Sequence, residues 1–155
     1  MSKIFVFDVD GTLTPSRGTI NKDFKHWLQT KFGFKWAVVT GSDKEKTQEQ
    51  LGIDLWSSIV SYNCSGNNIF INGLEIYKSD WKIPYACEQK LFEFLIGSAY
   101  PNKTGSHIEH RVGLCNFSVV GRNANLAERA DYFEWDNYTQ ERKNIEIGRA
   151  HVWTP

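Results

Sequence analysis

Apolar and polar positions fall into short, well-separated blocks along this chain. The first apolar run, Ile4-Phe5-Val6-Phe7, is closed by Gly11, so residues 3–9 are expected to form a buried strand. Residues 21–32 (NKDFKHWLQTKF) set Phe24, Trp27, Leu28 and Phe32 at helical spacing, with Asn21 as the expected N-cap and Gly33 as the C-cap. Trp36-Ala37-Val38-Val39 predicts a second strand, which runs into Thr40-Gly41-Ser42. A helix is expected next over SDKEKTQEQLG, opened by a Ser42/Glu45 capping box and stopped by Gly52. Strand, helix, strand, loop, helix is the βαβ pattern of a parallel sheet, so the fold class is expected to be α/β.

Residues 59–61 and 69–71 read as further short strands, and Asn72-Gly73 is a turn signal. The texture then changes, and a domain junction is expected near residues 73–84. Residues 85–96 predict an amphipathic helix carrying Leu91, Phe92 and Leu95. Two runs, 106–112 and 114–120, meet at Val112-Gly113 like an antiparallel hairpin, and a charged helix follows from about Asn125. There is no internal repeat and no low-complexity tract.

Charge and cysteine usage narrow the function classes. Eighteen basic residues balance eighteen acidic ones, which argues against a general nucleic-acid footprint, since that needs a basic excess. Cys64, Cys87 and Cys115 are widely spaced with no CxxC pair, so free thiols in a reducing cytoplasm are expected rather than a zinc site. The N-terminus has no apolar signal core. No apolar run approaches the roughly 18 residues a membrane helix needs, so a cytoplasmic protein without a membrane partner is expected.

The opening strand ends in two carboxylates one residue apart. Asp8 and Asp10 share a face, because strand side chains alternate, and ligands of open parallel sheets bind at the C-terminal strand ends. Paired carboxylates there can hold a hard cation such as Mg²⁺. With that cation present, one of them can attack phosphorus. An EF-hand starting at Asp8 fails, because residue 13 is Leu and residue 19 is Thr. HIEH at 107–110 lacks HExxH spacing, and His107 and Glu109 face away from His110, so strand histidines are expected there rather than ligands. The six tryptophans are scattered and suggest packing, with no base-stacking stripe.

FDVDGTLTPSR resembles the first motif of the haloacid dehalogenase (HAD)-like phosphotransferases, and VVTGSDKEK resembles their second. GSDKEKTQEQLG at 41–52 is similar to the corresponding phrase of the eukaryotic-type phosphomannomutase family. IEHRVGLCNFSVVGR at 108–122, followed by Glu128-Arg129, is similar to that family's cap signature. The resemblance implies a Rossmann-like HAD core with an inserted α+β cap. It implies Asp8 as nucleophile and Mg²⁺ ligand, and Asp10 as acid/base and second metal contact. Arg17 is implied to touch substrate from the core, and Arg111, Arg122 and Arg129 to grip its distal phosphate from the cap. Guanidinium suits that role, because it stays charged and binds phosphate bidentately. Thr40 departs from the family's usual glycine, so Thr40 or Ser42 is expected to steady the phosphoryl group. The implied reaction interconverts mannose 6-phosphate and mannose 1-phosphate for GDP-mannose synthesis. A hexose 1,6-bisphosphate is the implied activator, and a homodimer through the cap is implied. A HAD-type sugar phosphatase and an inactive sugar-phosphate-binding fragment are the alternatives.

The family's later lysine and further acidic cluster are not found, and neither is its return to the core, so the core is expected to be incomplete. IGRAHVWTP at the end reads as a translated sequencing-library adapter with its TGA codon taken as tryptophan. The expected division is therefore 1–78 core, 79–146 partial cap, and 147–155 a tail foreign to the natural protein.

Overall fold

The computed structural model describes residues 3–145. The expected foreign tail at 147–155, with its Trp153, lies outside the described residues. The described residues divide into two compact units, one of residues 3–82 together with Arg111–Leu114, the other of residues 83–110 and 115–145.

The first unit is an α/β layer structure, as the block pattern predicts. Its strands β1 (Ile4–Asp8), β2 (Lys35–Val39), β3 (Val60–Asn63), β4 (Asn68–Ile71) and β5 (Leu74–Lys78) form one sheet in sequence order. β1, β2 and β3 run parallel, with Asp8 opposite Val39 and Val39 opposite Tyr62, while β4 and β5 continue antiparallel. Helices α1 (Lys22–Thr30), α2 (Lys44–Leu51) and the single turn α3 (Ile53–Trp56) supply the crossovers. Leu28 of α1, Leu51 of α2 and Leu55 of α3 close on Val9, Leu13, Val38 and Ile59. That apolar cluster lies beside the strand ends where the acidic pair sits.

Several local expectations are corrected. β1 is not buried. It is an edge of the sheet, paired only with β2 among the described residues, and Ile4 and Val6 are 61% and 57% exposed. An apolar run reports that a strand wants cover; it does not supply the cover. Burial begins only at Val9, which is fully enclosed. α1 is capped at its start by Asn21, as expected, but it ends at Lys31 and not at Gly33. The N-cap of α2 is Asp43, whose side chain accepts from the Lys46 amide at 2.9 Å, so the Ser42/Glu45 box does not form. Ser42 instead stays in the preceding loop. Gly52 ends α2 as expected, at φ 82°. Asn72 and Gly73 both take positive φ (51° and 79°), the geometry of a tight hairpin turn.

The second unit holds α4 (Tyr85–Gly97), the hairpin strands β6 (Ile108–Arg111) and β7 (Leu114–Phe117), and α5 (Leu126–Thr139). Arg111 and Leu114, at the hairpin's turn, group with the first unit. α5 starts with a reciprocal capping box between Asn125 and Glu128. Its core gathers Tyr100, Val119, Val120, Ala124 and Tyr132. α4 buries no residue fully, and Phe92, expected on its packed face, is 42% exposed. Leu91 and Leu95 are half-buried. Among the described residues, no helix is long and apolar enough to cross a membrane.

Candidate active site

The carboxylate pair sits where β1 ends. Asp8 is the last residue of the strand and is exposed. After it the chain turns tightly around one carbonyl: Val9 O accepts from the amides of Thr12, Leu13 and Thr14 and from the Thr14 hydroxyl (3.2 Å). Gly11 permits this turn with φ 78°. The winding returns the chain beneath Asp10. Asp10 Oδ1 accepts from the Arg17 amide at 2.6 Å and from Gln50 Nε2 at 2.8 Å. Arg17 adopts φ 60°, an uncommon conformation for a non-glycine residue, and this turn brings its amide to the carboxylate.

The second motif leaves β2 beside the acidic pair. Thr40 is buried; its amide donates to Tyr62 O, and its Oγ1 accepts from the Ser42 amide at 3.1 Å. Thr40 is therefore built into the loop, while Ser42 is half-buried with its carbonyl accepting from the Cys64 amide. The loop rests on a buried polar network. Asn63 donates through Nδ2 to Thr47 Oγ1 (2.6 Å) and to Asp43 O (3.2 Å), and its Oδ1 accepts from the Ser61 hydroxyl (2.6 Å). Ser61, Asn63 and Thr47 are each 0% exposed, so β3 locks the start of α2 in place. Cys64 and Ser65 follow at φ 49° and 57°, and the Ser65 amide donates to Thr40 O. Burial raises the Cys64 thiol above its ordinary pKa, so it stays a neutral packing group at this loop.

The arginines are held differently. Arg111 Nη1 donates to Gly41 O at 2.8 Å, within the first unit. In the second unit Arg122 Nη2 pairs with Glu109 Oε2 at 2.7 Å, and Glu109 also accepts from Asn116 (3.1 Å). Arg129 spends two donors on main-chain carbonyls, those of Ala124 (2.8 Å) and Arg122 (2.9 Å), and so shapes the loop that carries Arg122. The histidines of HIEH point apart chemically: His107 Nδ1 meets Ser118 O at 2.9 Å, and His110 pairs with Glu88.

Asp8, Asp10, Arg17, Thr40 and Ser42 thus all belong to one sheet end of the first unit. Among the described residues, no group of three or more His, Cys, Asp or Glu side chains is arranged to hold a metal ion. The Asp8 carboxylate and the Asp10 main-chain carbonyl are hard oxygen donors of the kind Mg²⁺ takes, so their chemistry fits part of its shell. Gln50 is the residue that sequence reasoning passed over. The signal was present, because Thr47, Gln50 and Leu51 share the buried face of α2, and a glutamine on a buried helix face needs a partner.

The family model for eukaryotic phosphomannomutase matches residues 24–149. The chain belongs to the eukaryotic phosphomannomutase family. Among its phosphomannomutase relatives, the protein of Babesia bovis is 32% identical, covering 92% of this chain and 62% of its own length. A probable phosphomannomutase of Caenorhabditis elegans is 37% identical, over 86% of this chain and 57% of its own. The Saccharomyces cerevisiae phosphomannomutase is 32% identical, over 90% and 58%. The chain therefore spans less than two thirds of these relatives' length. Among solved structures, a haloacid dehalogenase-like hydrolase from Bacteroides thetaiotaomicron matches with TM-score 0.43 and 19% identity, over 62% of this chain and 38% of that one. At that score it bears on neither fold nor function.

Proposed function

We propose that the protein is a phosphomannomutase that interconverts mannose 6-phosphate and mannose 1-phosphate through an aspartyl phosphate. The observation that supports this best is the Asp10 carboxylate, fixed by two donors, two residues after an exposed Asp8 at a parallel strand end, in a chain of this family. Asp8 attacks the phosphorus of a hexose bisphosphate, and the bond between phosphorus and the sugar oxygen breaks. Asp10 delivers its proton to the departing oxygen. After the sugar turns end for end, its other hydroxyl gives a proton to Asp10 and attacks the phosphorus held on Asp8. The hexose 1,6-bisphosphate is thus both intermediate and activator.

Thr40 or Ser42 supplies the hydroxyl for the phosphoryl oxygens; Thr40 Oγ1 accepts from the Ser42 amide and keeps its own proton to donate. Arg17, Arg111, Arg122 and Arg129 bind phosphate, with Glu109 releasing Arg122 as the anion arrives. Mg²⁺ bound by Asp8 and Asp10 would neutralise the repulsion between carboxylate and phosphate. Asp8 would contribute a side-chain oxygen and Asp10 its main-chain carbonyl. The substrates are small sugar phosphates in the cytoplasm, feeding GDP-mannose synthesis, and the cap is where a second copy would join. The domain division at 78/79 belongs to the same reading.

The test is product analysis with mannose 1-phosphate and a trace of hexose bisphosphate. Isomerised sugar phosphate, abolished by Asp8→Asn, is the expected result. Free phosphate alone would replace the mutase by a sugar phosphatase, the reading Thr40 favours. Sugar-phosphate binding by the wild-type chain without any turnover, and unchanged by Asp8→Asn, would leave only a sugar-phosphate-binding fragment.

A further inference from the structure

We propose that Gln50 is a positioning residue for Asp10. It fixes which carboxylate oxygen is held and which one exchanges the proton. The proposal rests on the reading of Asp10 as the acid/base.

Gln50 lies forty positions from Asp10, in the last turn of α2, and is 1% exposed. Its Nε2 donates to Asp10 Oδ1 at 2.8 Å and approaches Thr14 Oγ1 at 3.3 Å. Its main-chain carbonyl accepts from the Ile20 amide at 2.8 Å, so the residue is tied to the 10–20 loop at both ends. Only an NH₂ group can face a carboxylate, which sets the orientation of the amide. That choice leaves Gln50 Oε1 buried without a hydrogen-bond partner among the described residues. A buried orphan acceptor is costly, and a methionine of similar volume would avoid it. The donor toward Asp10 is what the glutamine adds. With Gln50 Nε2 and the Arg17 amide both on Oδ1, the side chain cannot rotate without losing two bonds. Oδ2 is left for proton exchange. The network under α2, Asn63 on Thr47 and Asp43, holds the helix that carries Gln50. Asp10 is thereby referred to the same rigid element as the Ser42 loop.

The experiment compares the wild-type chain with Gln50→Met in two readouts. The first needs no activity: the Arg17 amide signal in ¹⁵N-resolved NMR. Loss of the second anchor frees the Asp10 carboxylate. The Arg17 signal is then expected to move upfield and its hydrogen exchange to speed up about tenfold, while the amides of Leu51 and Leu55 stay put. An unchanged Arg17 amide would overturn the proposal. Should Gln50→Met fail to fold, Asp10→Ala gives the reciprocal reading. The Gln50 side-chain NH₂ signals must then shift, and signals that do not shift would equally overturn it.

The second readout is the kinetic split. With a sugar phosphate, whose leaving oxygen needs a proton, kcat is expected to fall roughly 100-fold with KM unchanged. With an aryl phosphate, whose phenolate leaves unprotonated, the loss stays under about threefold. Equal losses on both substrates would mean a merely structural role and refute the positioning claim. Release of phosphate without isomerisation would sink the mutase reading while leaving this comparison intact.

Discussion

Asn63 offers the sharpest test of how the second-motif loop is held. It is fully buried, donates to Thr47 and Asp43, and accepts from Ser61 at 2.6 Å. Asn63→Ala removes these bonds and strands the Ser61 hydroxyl, itself 0% exposed, without its acceptor. Each of the three lost bonds is worth about 1 kcal/mol, and an orphaned buried hydroxyl adds about 1–2 kcal/mol, so a loss of about 4–5 kcal/mol is expected. Thr47 is spared the full penalty because its hydroxyl still donates to Asp43 O at 2.8 Å. The assay is urea unfolding followed by tryptophan fluorescence, for which the buried Trp56 is a reporter. The decisive measurement is the double-mutant cycle with Ser61→Ala. Once Asn63 is gone, deleting the stranded hydroxyl should recover its penalty, whereas in the wild type it costs a bond, so the double variant should be about 2–3 kcal/mol more stable than additivity predicts. Strict additivity, or an Asn63→Ala loss below about 1 kcal/mol, would refute the claim that this network carries the loop.

Three further outcomes are expected. In the second unit, burial alone would raise the Asp136 carboxyl, but the Arg142 amide (2.8 Å) and its guanidinium (2.6 Å) outweigh this and hold it below the ordinary carboxylate value. Asp136 therefore adds stability that is fully present above the unfolded-state pKa and is lost as pH falls through the lower folded value. The stability gap between wild type and Asp136→Asn should shrink over that acidic window, and a gap independent of pH from 7 to 2 would contradict the pairing. Gly121 sits at φ 94°, where an added Cβ would run into the Thr104 carbonyl oxygen. Gly121→Ala should therefore cost about 3 kcal/mol or more in chemical denaturation and displace the neighbouring Arg122; a near-neutral effect would contradict the close approach. β1 presents an exposed apolar edge, so the 155-residue chain should self-associate at high concentration, and Val6→Lys should reduce this in analytical ultracentrifugation. Identical sedimentation of the two would discount the edge.

Much of the first unit was legible because its signals are local. Asn21 caps α1, Gly52 ends α2 and Asn72-Gly73 turns the β4–β5 hairpin through short-range interactions that need only a few neighbouring residues, and in the second unit the helix expected from about Asn125 does start there. Strand alternation was expected to carry through Asp10, but β1 ends at Asp8 and a tight turn, not alternation, sets where Asp10 lies. What the pattern could not carry was competition between equally good local choices. Ser42 and Asp43 both suit an N-cap. Asp43 takes the role because Ser42 is drawn into the loop that the Cys64 amide and Asn63 side chain hold through its carbonyl. Nor could it carry exposure: Ile4 and Val6 read as core, yet whether a strand is central or at an edge depends on what pairs beside it. The link from Gln50 to Asp10 is of the same kind, forty residues of separation closed to 2.8 Å by the crossing of α2 over the strand end. The sequence by itself determined the types of the elements and the residues with the right chemistry, because propensity, capping and alternation act over a few residues. Only the tertiary structure decided which carboxylate oxygen is held, which residue caps α2, and which apolar faces stand open, because those depend on contacts between segments far apart in the chain.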